Sequence, residues 1–134
     1  MNDPLARVAA ARVGRLATVD KRGEPHIVPI VFALDGNRIV TAVDHKPKRT
    51  TDLKRLRNIA ANHRASVLVD HYDEDWSHLW WVRVDGPVEI VTAGPEFDAA
   101  IALLAAKYPQ YREQPPQGPV VAVTPERVTA WEAE

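Results

Sequence analysis

The sequence of 134 residues contains no cysteine. This absence excludes a disulfide framework, a thiolate metal site and a cysteine nucleophile. Serine is nearly as scarce, because Ser66 and Ser77 are the only two, and neither lies in the glycine-flanked turn of a hydrolase nucleophile. The 6 glycines are isolated from one another, which excludes the glycine-rich phosphate loops of Rossmann and P-loop proteins. The side chains alone therefore have few routes to covalent catalysis.

Long apolar runs are also missing, and none approaches the ~20 residues that a membrane-spanning helix needs. Residues 1–4 do not have the pattern of a secretory signal. We therefore expect a cytoplasmic protein without a membrane partner. The hydrophobic share of 46% and the charged share of 26% are typical of a globular domain, and we expect residues 1–134 to form a single one.

Metal-binding patterns are absent from the sequence as well. The 5 histidines show no ligand spacing, and the acidic run at residues 71–75 lacks the turn glycine and the distal glutamate of a calcium loop. We also find no pair of carboxylates suited to acid–base work on a sugar. We therefore name no catalytic side chain and no metal ligand. A catalytic role would rest on a bound organic cofactor, which the protein positions and surrounds with suitable charges.

Positive charge is concentrated in residues 46–57, although the whole chain has a formal net charge of −1. The basic residues of this segment are Lys46, Lys48, Arg49, Lys54, Arg55 and Arg57. The pattern predicts a helix over about 52–62, with Thr50, Thr51 or Asp52 as its N-cap. Basic side chains beside the free N–H groups of a helix start suit a phosphate. The alternative interpretation is a basic helix face exposed to solvent.

This basic segment does not have the composition of a nucleic-acid site. Proteins that bind single strands interleave basic residues with aromatic residues on which bases stack. Residues 43–71 contain no Phe, Tyr or Trp. We therefore expect a small-molecule ligand rather than a nucleic acid.

Short strand patterns separated by tight turns make up most of the chain. We predict about six strands, over 15–19, 26–34, 38–43, 64–70, 76–91 and 120–131, the last interrupted near Pro125. We predict three helices, over about 3–12, 52–62 and 95–108, and a proline-rich loop up to residue 119. Pro29 lies inside the second strand, which indicates an edge, a bulge or a strand facing a ligand. Closely spaced antiparallel strands indicate a mainly β barrel of the α+β class.

Two tryptophans, Trp80 and Trp81, are adjacent within the fifth predicted strand. Neighbouring residues on a strand point to opposite faces, so we expect one tryptophan in the core and the other on a second surface. Gly86 and Pro87 predict a bend or bulge later in this strand. Asp35 and Gly36 predict a hairpin turn between the second and third strands.

Several short motifs, in their order and spacing, resemble the pyridoxamine-phosphate-oxidase-like split-barrel superfamily. They are GRLATV at 14–19, GEPH at 23–26, RNI at 57–59, RASVLVD at 64–70 and VDGPV at 84–88. A branch of PPOX-class oxidoreductases that depends on coenzyme F420, a deazaflavin, is similar in two further runs. These runs are DHYDEDW at 70–76 and LWWVR at 79–83. The similarity extends from about residue 11 to residue 91 and is looser beyond.

The resemblance implies a split β-barrel of the FMN-binding type, in a homodimer with two cofactor sites at the subunit interface. The residues that would border the tricyclic ring are His26, Val28, Pro29 and Ile30. The residue near the ribityl chain would be Thr41, and Trp76 would approach from the loop before the fifth strand. The phosphate would be held by Lys48, Arg49 and Arg55, with Lys46 and Lys54 as alternatives.

The function that the resemblance implies is hydride transfer between reduced F420 and a small organic electrophile. F420 carries a phosphodiester and an oligoglutamate tail, and the basic segment has more cations than a single terminal phosphate needs. Two alternatives stay open: an FMN-binding oxidoreductase of the same fold, which would purify yellow, and a deazaflavin carrier without catalytic activity. The proton would come from solvent, or from His26 if that residue faces the site.

Overall fold

The computed structural model describes residues 3–43 and 53–134. Within these ranges the chain forms eight β-strands, four α-helices and one short 3₁₀ helix. The strands are β1 (Gly14–Val19), β2 (Pro25–Ile30), β3 (Ala33–Asp35), β4 (Arg38–Ala42), β5 (Arg64–His71), β6 (Trp80–Val91), β7 (Val120–Val123) and β8 (Arg127–Glu132). The helices are α1 (Pro4–Ala10), α2 (Lys54–Asn62), α3 (Pro95–Lys107), α4 (Pro109–Glu113) and the 3₁₀ helix Trp76–His78. No helix among these described residues is long and apolar enough to cross a membrane.

All strand pairings are antiparallel, in the order β2-β1-β5-β6-β7-β4-β3, with β8 paired to β6. β6 joins two parts of the sheet, because residues 80–87 pair with β5 whereas residues 88–91 pair with β7. The residues predicted to form a bend, Gly86 and Pro87, therefore mark the point where the strand changes partners. The predicted mainly β, α+β split-barrel class is confirmed, with an open sheet. The predicted counts of six strands and three helices are too low for the described residues.

The second predicted strand is wrong as a single element, because the chain leaves the ladder after Ile30 and starts β3 at Ala33. The break lies at Phe32, whose backbone N–H donates to the Tyr108 hydroxyl over 3.1 Å. The same hydroxyl lies 3.0 Å from the carbonyl oxygen of Phe32. A side chain 76 residues away thus replaces the strand partner of Phe32. Pro29 lies in β2, which stands at one end of the strand order, so the structure shows the edge position, one of the three predicted alternatives.

The C-terminal third also differs from the prediction. The last predicted strand is two strands, and the predicted interruption near Pro125 is the whole connection between β7 and β8. The predicted proline-rich loop contains the helix α4. Pro109 occupies the first turn of that helix. Proline is well suited to this position, since its fixed φ is helical and its missing N–H would have had no partner there.

α2 begins later than the predicted residue 52. Its first residue is Lys54, and Leu53 occupies the N-cap position without a side-chain hydrogen bond to the helix. The predicted N-caps Thr50, Thr51 and Asp52 lie outside the described residues. The start of α2 therefore has no side-chain cap among the described residues.

Alternation along the strands separates an interior from an outer surface. In β1, Leu16 and Thr18 are buried whereas Arg15 is exposed. The fully buried Phe32 lies in the main core, against which Trp80 also packs. Trp81 lies on the opposite side of β6, so the predicted division between the two tryptophans is confirmed. A second apolar cluster lies beneath α3, where Ala100 and Leu104 are buried against residues of β3, β4 and β7.

Candidate functional site

The outward-pointing side chains of β2, β1, β5, β6 and β8 form one continuous surface, which we name the outer face. Strand register aligns them in rows, for example Pro29, Arg15, Leu68, Arg83 and Thr129. A second row contains Ile27, Ala17, Ser66, Asp85 and Arg127. A third contains Asp70, Trp81 and Trp131. Five strands therefore contribute to a single concave surface.

The outer face holds a cavity of about 520 Å³. Its wall is mainly apolar and is formed by Ile27, Leu68, Leu79, Trp81 and Trp131. Arg15, Ser66, Asp70 and Arg83 supply polar groups at the same surface. Two of the apolar side chains are strongly exposed, Ile27 at 63% and Trp131 at 45% of their full accessible surface. Exposed large apolar side chains gathered around a concavity are typical of a binding surface.

Asp85 organises the charges at one end of the outer face. It accepts a hydrogen bond from the Ser66 hydroxyl, and its Oδ2 lies 3.3 Å from Arg83 Nε and 3.5 Å from Arg127 Nε. Burial acts to raise the pKa of Asp85, but the Ser66 hydrogen bond and the two arginines outweigh it, so the pKa is lowered. Asp85 therefore stays ionised and holds Arg83, whose guanidinium lies 5.7 Å from the Trp81 ring centroid.

The segment 72–79, which we name the β5–β6 loop, borders the cavity through Tyr72 and Leu79. Trp76 is 67% exposed, and its Nε1 lies 3.5 Å from the Tyr72 hydroxyl. Asp75 caps the 3₁₀ helix by accepting hydrogen bonds from the backbone N–H and the hydroxyl of Ser77. The loop thus presents Trp76 on an internally hydrogen-bonded support.

Two histidines meet on one carboxylate in this loop. Asp73 Oδ2 lies 3.1 Å from His71 Nε2 and 3.0 Å from His78 Nδ1. The hydrogen bond with His78 is the main cause that lowers the pKa of Asp73, and it also raises the pKa of His78. Within residues 3–43 and 53–134, no group of three or more His, Asp and Glu side chains is arranged to hold a metal ion.

A second cavity, of about 240 Å³, lies between the β1–β2 turn and α2. We name it the basic cavity because its lining includes Lys21, Arg22, Lys54 and Arg57. Its acid, Asp20, accepts the backbone N–H groups of Glu24 and Arg22, and its Oδ2 lies 3.4 Å from Lys54 Nζ. The hydrogen bond from Glu24 is the main cause that lowers the pKa of Asp20. Asp20 thus shapes the turn and leaves the cavity with an excess of positive charge.

The structure does not bring all the predicted ring-binding residues to one surface. His26, Val28 and Ile30 point to the core side of β2, where Ile30 is only 7% exposed. Pro29 points to the outer face. Thr41 is buried in β4 and donates a hydrogen bond to the Val31 carbonyl oxygen over 2.7 Å. The Nδ1 atom of His26 is buried without a hydrogen-bond partner within the described part of the chain.

The predicted phosphate-binding residues are described only in part. Lys54 lies in the basic cavity, and Arg55 is half-buried in α2, where burial lowers its pKa. Lys46, Lys48 and Arg49 lie outside the described residues. Trp76 is exposed at the β5–β6 loop. The roles of all these residues in ligand binding stay predictions.

Sequence reasoning did not select Arg15, Leu68, Trp81 and Trp131 as site residues, although they share one cavity. The sequence offered one signal: apolar residues stand at positions of the predicted strands whose side chains alternate away from the core. Trp81 and Trp131 become neighbours only through the pairing of β6 with β8. That long-range register cannot be read from either segment alone.

Comparison with known proteins gives a family match. The family described as pyridoxamine 5'-phosphate oxidase matches residues 5–132. A 5a,11a-dehydrotetracycline/5a,11a-dehydrooxytetracycline reductase of Streptomyces rimosus is 39% identical over 57 residues. The match covers 42% of this chain and only 39% of the length of the reductase.

Solved structures share the fold but differ in the ligands that their names give. A conserved hypothetical protein from Mycobacterium tuberculosis matches with a TM-score of 0.79 at 20% identity, over 96% of this chain and 81% of that chain. A FAD-binding protein from Mesorhizobium loti matches with a TM-score of 0.71 at 26% identity, over 98% and 93%. A heme-binding protein from Mycobacterium smegmatis matches with a TM-score of 0.76 at 24% identity, over 97% and 53%. The fold alone therefore does not select a cofactor.

Proposed function

Since the chain belongs to the pyridoxamine 5'-phosphate oxidase family, we propose that it is an oxidoreductase that transfers a hydride between reduced coenzyme F420 and a small organic electrophile. The observation that carries the proposal is the outer-face cavity, whose wall includes Trp81, Trp131 and aliphatic side chains and is flanked by Arg15 and Arg83. Flat apolar walls suit a planar ring system, and the arginines suit polar or anionic substituents. The partly matching tetracycline reductase supports reduction of an unsaturated bond.

The basic cavity supports a deazaflavin over FMN. F420 has a phosphodiester and several carboxylates, whereas FMN has a single terminal phosphate. Four basic side chains line this cavity against one acid, Asp20, which accepts two backbone N–H groups and lies 3.4 Å from Lys54 Nζ. Such a donor set suits a ligand with several negative charges. The sequence-based phosphate residues Lys46, Lys48 and Arg49 belong to the segment that leads into α2, and we retain them in the proposal.

When bound, reduced F420 supplies a hydride to an electrophilic carbon of the substrate. The chain's own residues would position the reactants and control their surroundings. Trp81, Trp131 and Leu68 present an apolar surface that removes water from bound rings. Arg83 is held by Asp85, so its charge can orient a carbonyl or anionic group of the substrate without moving.

We also propose that a second copy of the chain covers the outer face and completes the cofactor site. Ile27 and Trp131 are strongly exposed, and Val19 is 37% exposed. Burial of such side chains contributes about 25 cal/mol per Å² of apolar surface removed from water. A homodimer through this face would therefore both hide the apolar side chains and close the cavity.

A titration with oxidised F420, and in parallel with FMN, tests the cofactor. We expect colourless purified protein and a saturable complex with F420, followed by tryptophan fluorescence. Trp131→Ala should weaken binding, whereas Val128→Ala, which alternates to the other side of β8, should not. Absence of a saturable F420 complex would overturn the proposal, and protein that purifies yellow with FMN would support the flavin alternative.

Catalysis is distinguished from a carrier role by a single-turnover experiment. Protein loaded with reduced F420 is mixed with unsaturated acceptors, and recovery of the oxidised coenzyme's absorbance is followed. An enzyme accelerates oxidation by at least one acceptor over the rate with coenzyme alone. Tight binding without acceleration across the panel would favour the carrier.

A further inference from the structure

Two charged side chains of the outer-face cavity, Arg15 and Asp70, have no partner of opposite charge among the described residues. Both line the cavity and both are exposed. Neither side chain forms a hydrogen bond or an ion pair with another residue of the ranges 3–43 and 53–134. Arg83, the other arginine of this wall, is already paired with Asp85. One cation and one anion therefore stand uncompensated on a mainly apolar surface.

The strand register places these two charges side by side without pairing them. Arg15 on β1 stands opposite Leu68 on β5, and Asp70 lies two residues further along β5. The outward side chains of Arg15 and Asp70 are thus diagonal neighbours, a relation in which the Cα atoms of antiparallel strands lie about 7–8 Å apart. Within one copy the structure shows no ion pair between them. Their separation is short enough for one region of a neighbouring molecule to contact both.

A second copy on the outer face would remove water from both side chains. A charged group that loses its water needs a partner of opposite charge, since the burial of an unpaired charge is strongly unfavourable. A small anion would compensate Arg15 but leave Asp70 buried and unpaired, and a small cation would do the reverse. A second copy of the chain carries one group of each sign. It is therefore the occupant that compensates both charges in one contact surface.

On the basis of the homodimer in the proposed function, we propose that Arg15 of each copy forms an ion pair with Asp70 of the other copy. In a two-fold symmetric dimer the contact of Arg15 with the partner's Asp70 implies the reverse contact, so the interface contains two such pairs. An axis that passes between Arg15 and Asp70 of one copy produces both. Another register of the two faces would leave four charges buried without partners, so the pairs determine how the copies align. Since both residues line the cavity, the same pairs set how the partner closes it.

Charge reversal tests this contact, with the dimerisation constant measured by analytical ultracentrifugation. Arg15→Asp alone places two acids against each other in the homodimer, and Asp70→Arg alone places two bases against each other. We expect each variant to dimerise at least about 100-fold more weakly than wild type, because like charges across an interface repel. Circular dichroism should show both variants folded, since both positions are exposed in a single copy.

Mixing the two variants separates a contact between copies from a contact within one copy. In a mixed dimer of Arg15→Asp with Asp70→Arg, one copy carries acids at positions 15 and 70, and the other carries bases at both. Each acid then faces a base, so we expect a one-to-one dimer with an affinity close to that of wild type. A pair within one copy would keep its like charges after mixing. A mixture that stays monomeric while wild type is dimeric would therefore overturn the inference.

Uncharged replacements give a second measurement of the same pair. Arg15→Gln and Asp70→Asn each leave one buried charge without its partner, and each should weaken dimerisation by about 10-fold or more. The double variant should weaken dimerisation no further than either single change, because no unpaired charge remains in it. Single effects that simply add would contradict the pairing.

Charge reversals outside the outer face are the matched controls. Lys21→Glu changes an exposed base in the β1–β2 turn, and Glu113→Arg changes an exposed acid on α4. We expect both variants to dimerise as wild type does, alone and when mixed with each other. A loss of dimerisation in the controls as large as in the outer-face variants would show a general effect of charge and overturn the specific pairing.

The proposed function and the reciprocal pair fail in different ways in these experiments. A monomeric wild-type protein overturns the proposed assembly and the pair with it. A dimeric wild type whose Arg15→Asp and Asp70→Arg variants dimerise equally well overturns the pair alone. A wild-type protein that dimerises as expected but binds no F420 overturns the proposed cofactor and leaves the pair supported.

Discussion

Lys107 carries a positive charge into an apolar corner of the molecule. Its Nζ is buried without a hydrogen-bond partner among the described residues and lies 4.2 Å from the centroid of the Phe32 ring. Burial, with a smaller contribution from the Arg12 charge, lowers the pKa of Lys107 from 10.5 to about 8. The folded protein therefore gives up this proton at a lower pH than the unfolded chain does.

The sign of the resulting pH dependence follows from proton counting. Between pH ~8 and ~10.5 the unfolded chain binds more protons at Lys107, so its contribution to the free energy of unfolding rises with pH. Lys107→Met should remove that rise, whereas the exposed Lys21→Met should retain it. Urea denaturation at pH 7.5 and 9.5 gives the change in the free energy of unfolding between the two pH values for each variant. An equal change in wild type and Lys107→Met would contradict a lowered pKa of Lys107 in the folded protein.

Gly86 has no room for a side chain. A Cβ atom here would overlap the Thr124 carbonyl oxygen and lie 3.0 Å from the Glu126 backbone nitrogen. Both are backbone atoms, so neither can rotate away. We expect Gly86→Ala to lower the free energy of unfolding by about 1–3 kcal/mol, measured by chemical denaturation. Gly14→Ala is the control and should cost less, because its Cβ would lie 3.2 Å from side-chain atoms of Phe32 and Val69 and 3.3 Å from the Leu68 carbonyl oxygen, without overlapping a backbone atom.

At the scale of elements, α2 and the β1–β2 turn act together through the basic cavity. Arg22→Gln removes one cation from this cavity without removing the backbone N–H that Asp20 accepts. We expect F420 affinity to fall by about 1.5 kcal/mol at low salt, the lower end for a charge-assisted hydrogen bond. Arg38→Gln, on β4 and paired with Glu89 and Glu96, is the remote control.

The salt dependence of that affinity provides a second measurement. At about 1 M salt the Debye length is about 3 Å, so the contribution of an exposed cation is screened. The difference between wild type and Arg22→Gln should therefore shrink as salt is added. A difference that does not depend on salt would contradict an electrostatic role for Arg22.

Elements with local signals were predictable from the sequence. The Asp3 cap followed by Pro4 marks the start of α1, and the turn at Asp35 and Gly36 marks the β3–β4 hairpin. The break between β2 and β3 was not predictable, because the hydroxyl that binds Phe32 belongs to Tyr108 far along the chain. Local patterns carry no information about such a partner.

The candidate site shows the same limit. Period-two alternation already implies that His26 and Val28 share one face of β2 while Pro29 lies on the other. The row that joins Asp70, Trp81 and Trp131 needs the registers of β5, β6 and β8 at once. The sequence therefore shows which residue types are available for a site. Which of them share one surface follows only from the tertiary structure.

At the scale of the whole molecule, we propose that the outer face determines assembly. Ile27→Lys places a charge in the exposed apolar surface that we propose is buried in the dimer. We expect this variant to be monomeric by light scattering and to lose F420 binding, with little change in its free energy of unfolding. Ala102→Lys, on the exposed side of α3, is the control and should stay dimeric. A monomeric wild-type protein would contradict the proposed assembly.

The two ends of the strand order limit uncontrolled growth of the sheet. β2 contains Pro25 and Pro29, which lack backbone N–H groups, and β3, at the opposite end, is only three residues long. An incoming strand from another molecule would find few donors at either end. Sheet extension at β2 and β3 is thereby disfavoured, whereas β8, which pairs only with β6 among the described strands, keeps one edge unpaired.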